Sequence, residues 1–223
     1  GPDPSLTLPN VWQAEASNGM KIYGIEQHEL PLITYSIVIK GGHMLDDISK
    51  PGVARFTAQM LNEGTKNKTP EELEEAIQLL GANISVRGGE ESTTVSVSAL
   101  ARNFESTVAL VEEMLLEPRW DEEQFLLNKT RTVNNLKRNL ADPNYLASMT
   151  SGNLILGKDN IFSSDISGTV ESVEAITMDD LKAFYEKSLS PSVANFLIVG
   201  DVDQARVEKA LAGINERWMA KEV

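Results

Sequence analysis

Histidines, paired acids, glycine pairs and serines are the residues of this chain whose types could do chemistry. The only imidazoles are His28 and His43, and there is no cysteine. A zinc site needs several imidazole, thiolate or carboxylate ligands at one point, and residues four apart on a helix share a face and can supply them. His28 and His43 fall in separate predicted loops or strand ends with no shared helical face, so they read as surface or turn histidines. Asp46-Asp47 reads as a solvated acidic turn, since a calcium cage asks for about six or more oxygens. Gly41-Gly42 and Gly88-Gly89 read as turn glycines, because neither stands in a Gly-x-Gly-x-x-Gly or Gly-Lys-Thr phosphate-binding context. Ser163-Ser164 and Ser167-Gly168-Thr169 offer hydroxyls. A serine nucleophile needs a nearby base, however, and neither histidine is linked to them in sequence. Phe162 to Thr169 therefore reads as a surface loop.

The segment Gly52 to Thr65 carries more. As packing it is an amphipathic helix, with Val53, Phe56, Met60 and Leu61 directed to a core. Gly52, Ala54, Phe56, Met60, Gly64 and Thr65 also keep the frame Gly-x-Ala-His-Phe-x-Glu-His-Met-x-x-x-Gly-Thr. On those residues the segment resembles the active-site helix of the insulinase/pitrilysin family of zinc peptidases, which includes the mitochondrial processing peptidases. Arg55, Ala58 and Gln59 stand where that motif has its first histidine, its glutamate and its second histidine. In the motif two imidazoles grip one zinc while the glutamate handles a water proton. Arginine stays protonated and repels a cation, alanine has no acid–base function, and glutamine is a poor zinc ligand beside imidazole. The family's third ligand, a glutamate, falls near Thr132-Val133-Asn134-Asn135-Leu136-Lys137, a window without a carboxylate. The resemblance thus implies a domain without catalytic or metal-binding residues of its own.

Further fragments of the resemblance follow in order. Ser17 to Tyr23 is similar to the family's opening turn and first strand, and Ile37 to Gly42 to the strand ending in a glycine pair. Leu80-Gly81-Ala82 is similar to a helix stop, and Ser190 to Gly200 to the Ser-Pro-x-x-Ala-Asn strand near the domain end. The set spans residues 10–219, expected to be one domain after a tail or linker at 1–9. The resemblance implies that zinc belongs to a catalytic His-x-x-Glu-His half, in the same polypeptide or a separate subunit, which closes with this one around an extended peptide. It also implies a homologous domain following residue 223. Relatives bind substrate by strand addition at a sheet edge of the catalytic domain; the strand pattern here implies a sheet without fixing its exposed edge. Two other readings are a scaffold subunit resembling the respiratory bc1 core proteins and an active zinc endopeptidase with unrecognised ligands. The scaffold reading requires an apolar docking surface, and the sequence displays none.

A net charge of −13 argues against nucleic acid and anionic membranes, since phosphates are repelled. With 41% hydrophobic residues the chain can bury an ordinary core. No apolar run reaches the roughly 18 residues of a membrane span. The opening Gly-Pro-Asp-Pro suggests a processed or truncated piece. A bacterial periplasmic or envelope setting fits the resemblance and the absence of cysteine better than a cytoplasmic one.

The elements that must position these residues are legible from their end signals. Asn18-Gly19 predicts a hairpin between Val11–Ala16 and Met20–Glu26, and Leu32–Lys40 is a third strand. Thr69-Pro70-Glu71-Glu72 is a capping box opening a helix that stops at Gly81. Asn83–Arg87 and Thr93–Leu100 read as a second hairpin around Gly88 to Glu91. Asn103 is expected to cap a helix ending before Pro118, and Asp121 one running to about Asn139. Asp142-Pro143 restarts the helical pattern until Gly157. Thr177 to Asp180 is another capping box, Asn195–Val199 the last strand, and Asp203 the cap of a closing helix toward Met219. Paired strands interspersed with helices predict an α+β domain with a mainly antiparallel sheet and helices on one face.

Overall fold

The computed structural model describes residues 9–223, so most of the tail expected at 1–9 lies outside the described residues. Strands β1 (Trp12–Glu15), β2 (Lys21–Glu26), β3 (Leu32–Lys40), β4 (Asn83–Gly88), β5 (Ser92–Leu100) and β6 (Ala194–Gly200) form one six-stranded sheet in the order β1-β2-β6-β3-β5-β4. The β2–β6 pair is parallel and the other pairs are antiparallel, so the sheet is mainly antiparallel as expected. Alternation follows from the two-residue strand period. In β3, Ile33, Tyr35, Ile37 and Ile39 are buried, while Leu32, Thr34 and Lys40 on the other face are exposed.

The described helices are α1 (Val53–Met60), α2 (Pro70–Leu79), α3 (Phe104–Leu116), α4 (Glu122–Asn139), α5 (Pro143–Leu156), α6 (Val170–Ala175), α7 (Met178–Ser188), α8 (Gln204–Ala210) and α9 (Ala212–Arg217). Aromatic packing joins sheet to helix: Tyr35 on β3 stacks on Phe196 of β6 at 5.2 Å and meets Phe104 of α3 edge-on at 5.8 Å. On α1, Phe56 and Met60 are at most 1% exposed. Each such side chain contributes about 1.5–3 kcal/mol by leaving water.

Several end signals work as read. Thr69 accepts from Glu72 N–H while Glu72 accepts from Thr69 N–H, and Asp121 accepts from the Glu123 and Gln124 amides. Others differ. Asn103 makes no cap; its amide donates to the Leu80 carbonyl at 2.8 Å, tying the end of α2 to the start of α3. The first hairpin turns through Ser17-Asn18-Gly19, with Ala16 N–H bonded to the Met20 carbonyl. The closing helix breaks at Leu211 into α8 and α9. Helix α6 was not expected: Thr169 caps it, but Ser172 fills the place that glutamate or glutamine holds in the usual capping box.

Candidate functional site

The site is built on α1 and the segments against its N-terminus. Gly52 precedes the helix in a left-handed conformation, φ 108°. In place of a capping residue adjacent to the helix, Asp46 reaches in from the preceding turn. Its carboxylate accepts from Gly52 N–H and Ala54 N–H, both at 2.8 Å, so two N–H groups that the helix cannot satisfy itself are paired. The negative charge also sits at the positive end of the helix dipole.

His43 completes this cluster, and it is 1% exposed, not the surface or turn histidine expected from sequence. Its Nδ1 lies 2.9 Å from Asp46 Oδ2 and its Nε2 lies 3.0 Å from the Ile161 carbonyl. A carboxylate and a carbonyl only accept, so both contacts are satisfied together when each ring nitrogen carries a proton, the imidazolium form. Burial alone disfavours that charge. The Asp46 hydrogen bond and charge, with the Ile161 carbonyl, outweigh burial and raise the His43 pKa above its ordinary value. Asp46 is therefore a buried anchor and not part of a solvated turn; Asp47, exposed, accepts from Ser49 N–H and Oγ.

Ser164 Oγ stands 3.3 Å from His43 Nε2, so a serine, a histidine and an aspartate do converge, a grouping the sequence separates by 121 positions. It lacks the chemistry of a nucleophilic triad. A general base needs a lone pair facing the hydroxyl, whereas His43 Nε2 donates to Ile161 and Ser164 Oγ donates to the same carbonyl at 2.7 Å. The cluster is a clamp that holds the 161–168 segment against α1. Gly168 takes φ 81° beneath the Pro51 carbonyl, and Ser172 Oγ donates to that carbonyl at 2.9 Å.

Arg55 and Gln59 lie one turn apart and half-buried, while Ala58 is 1% exposed. Arg55 Nη1 donates to Ser167 Oγ at 2.8 Å, and Gln59 Oε1 is buried with no partner among the described residues. Helix α4 packs on α1 through Phe125 edge-on to Phe56 at 6.2 Å, and the Asn128 amide donates to Glu63, just past the end of α1, at 2.9 Å. The 132–137 window lies on the next turns of α4, with Leu136 buried. This donor set does not fit zinc: a permanent cation and an amide occupy the facing positions of α1, and the window supplies hydroxyl, amide and ammonium groups. Among the described residues, no group of three or more His, Asp or Glu side chains is placed to hold a metal ion.

The exit of the segment is equally fixed. Thr65 Oγ1 donates to Glu113 Oε1 at 2.6 Å and Lys68 Nζ to Oε2 at 2.6 Å, with Asn67 donating at 3.0 Å. Beside the site, α5 has no buried residue and no charged one. Leu154 is 82% and Ile155 77% exposed, so the structure presents an apolar surface where the sequence shows none.

Residues 25–151 match the family model of the insulinases, peptidase family M16. The non-peptidase homolog YmxG of Helicobacter pylori is 24% identical over 190 residues, which is 85% of this chain and 43% of that protein. The beta subunit of the mitochondrial-processing peptidase of Saccharomyces cerevisiae is 19% identical over 209 residues, 91% of this chain and 44% of that one. Among solved structures, the peptidase M16 inactive domain from Pseudomonas fluorescens superposes with a TM-score of 0.89 at 23% identity, covering 96% of this chain and 52% of that one. The first half of the periplasmic protease PqqL from Escherichia coli gives 0.82 at 17%, covering 98% and 49%. The chain spans less than half the length of the curated relatives named here.

Proposed function

This chain belongs to the insulinase family, peptidase family M16, and from that premise we propose that it is a non-catalytic domain forming part of a peptide-enclosing chamber. The observation that carries this reading is the content of α1: Arg55, Ala58 and Gln59 at the three positions where the family's motif has its chemistry. The domain contributes by geometry. Enclosure excludes folded proteins and holds an extended chain near a reactive centre, which promotes reaction through positioning. Zinc belongs to a catalytic His-x-x-Glu-His half, in the same polypeptide or a separate subunit, and a homologous domain follows residue 223. The compartment is a bacterial periplasm or envelope; no described helix is long and apolar enough to cross a membrane.

The test is zinc content and peptide cleavage of the purified chain, repeated after adding the His-x-x-Glu-His half encoded upstream or next door. Absence of stoichiometric zinc and of cleavage alone, with activity rising on addition, is expected. Chelator-sensitive cleavage by this chain alone, with one zinc bound, overturns the reading.

A scaffold role, as in a bc1 core subunit, is favoured by one observation, the uncharged α5 with Leu154 and Ile155 exposed among the described residues. Helix faces of that composition are normally covered. Pull-down of a stable multisubunit assembly that requires Leu154 and Ile155, and that has no proteolytic activity, distinguishes this reading from the chamber.

A further inference from the structure

Strand β4 ends the sheet, and an edge strand offers unpaired N–H and C=O groups to any extended chain. Here the middle of that edge is occupied. Val86 faces Val95 of β5 in the register, yet its backbone groups turn outward and meet the side chain of Asn62. Val86 N–H donates to Asn62 Oδ1 at 2.8 Å and Asn62 Nδ2 donates to the Val86 carbonyl at 2.9 Å. One amide thus makes both bonds that a residue of an incoming strand makes.

The placement is held from both sides. Asn62 Nδ2 also lies 3.0 Å from the Ala58 carbonyl and 3.3 Å from that of Gln59, which fixes the amide to the last turn of α1. Helix α1 crosses β4 at Gly88, where a Cβ atom would stand 2.9 Å from Arg55 Cα, so the absence of a side chain lets the helix approach this closely. With a two-residue period, Ile84 and Gly88 are the other positions of β4 whose backbone groups face outward. They flank Val86, and an incoming strand cannot pair with both without crossing the position Asn62 fills.

We propose that Asn62 is a strand mimic that closes the β4 edge to extended polypeptide. Peptide adds to this edge only if the Asn62 amide leaves Val86, so the contact is autoinhibitory toward strand addition. The inference concerns this chain alone and stands whether or not a catalytic half exists.

The test compares the wild-type chain with Asn62→Ala and Asn62→Asp, using a short fluorescein-labelled peptide of alternating threonine and valine. Fluorescence anisotropy reads binding, and amide hydrogen exchange reads protection at Ile84 and Val86. Asn62→Ala is expected to bind at least about tenfold more tightly than wild type, with new protection at those two amides. Asn62→Asp carries an internal control for folding. Its protonated carboxyl group reproduces both bonds, whereas the ionised form sets two acceptors against the Val86 carbonyl. Its peptide affinity is therefore expected to rise with pH while that of Asn62→Ala does not. If folded Asn62→Ala binds no better than wild type, or if peptide protects Val86 in the wild-type chain, the proposal is overturned. Affinity of Asn62→Asp that does not change with pH also overturns it.

Discussion

The imidazole of His43 and the carboxylate of Asp46 form a buried ion pair, 2.9 Å between Nδ1 and Oδ2, with side chains 2% and 0% exposed. Asp46 ties the pair to the N-terminus of α1, and His43 ties it to the 161–168 segment. Removing one member of such a pair leaves an uncompensated buried charge.

Asp46→Ala is therefore expected to cost about 3 kcal/mol or more, since it orphans the Gly52 and Ala54 amides as well as His43. Urea unfolding midpoints check this. Asp46→Asn, which can still accept a hydrogen bond but carries no charge, is expected to be less damaging. Equal midpoints for Asp46→Ala and wild type contradict the role of the carboxylate.

A pH dependence follows from His43. Its pKa is raised in the fold, so its contribution is complete below the unfolded value of about 6.5 and is lost as pH rises through the folded value. Urea midpoints between about pH 5 and pH 9 are expected to fall on the alkaline side in the wild-type chain. His43→Gln flattens that slope. Hydrogen-exchange protection of residues 161–168, corrected for the base-catalysed intrinsic rate, is expected to fall over the same interval, because a neutral ring keeps one proton and can no longer donate to both Asp46 and Ile161.

Glu113 works in the opposite direction. Burial favours its neutral form, but hydrogen bonds from Lys68, Thr65 and Asn67 prevail and lower its pKa. The stabilisation is present above the unfolded value of about 4.3 and is lost as pH falls through the lower folded value. Glu113→Gln is expected to remove part of the acid-side loss and to cost about 1–2 kcal/mol at neutral pH, read from midpoints with and without the substitution.

Two glycines separate conformational strain from steric collision. Gly81 takes φ 56° in open space, so Gly81→Ala is expected to cost only about 1 kcal/mol. Gly168 takes φ 81° with the Pro51 carbonyl 2.3 Å from where a Cβ would stand. Gly168→Ala is expected to cost at least about 2 kcal/mol and to loosen the Arg55–Ser167 contact. Thermal melts rank the two; the reverse order sinks the argument.

Local chemistry made much of this fold legible. Leu32–Lys40 alternates over its full length, and Thr69 and Asp121 cap as their types dictate. Helix α6 was missed because Ser172 stands in for the glutamate of the usual box. His43 was misread because its spacing to Asp46, three residues, is visible only as a short motif, while the carbonyl that makes the ring a double donor lies 118 residues away. Asn62 gave no signal at all: an amide at the end of a helix says nothing about a strand edge 24 residues on. The apolar residues of α5 look like core residues in sequence, and only packing shows that Leu154 and Ile155 stay exposed among the described residues.

Restoring the family's motif on α1 tests whether the site lost only its ligands. Arg55 and Gln59 are half-buried on one face of α1, so Arg55→His and Gln59→His place two imidazoles one turn apart. Two ligands are too few for a catalytic zinc, which takes about three from the protein, and the 132–137 window offers no carboxylate. Ala58 is 1% exposed, so Ala58→Glu forces a larger, ionisable side chain into packed surroundings at a cost of about 2 kcal/mol or more. The triple variant is therefore expected to melt earlier than wild type and to hold no stoichiometric zinc after dialysis against buffered metal, as measured by elemental analysis. One tightly held zinc per chain together with an unchanged melting temperature means that the pocket still fits the metal and that the losses at 55, 58 and 59 are the only ones that matter.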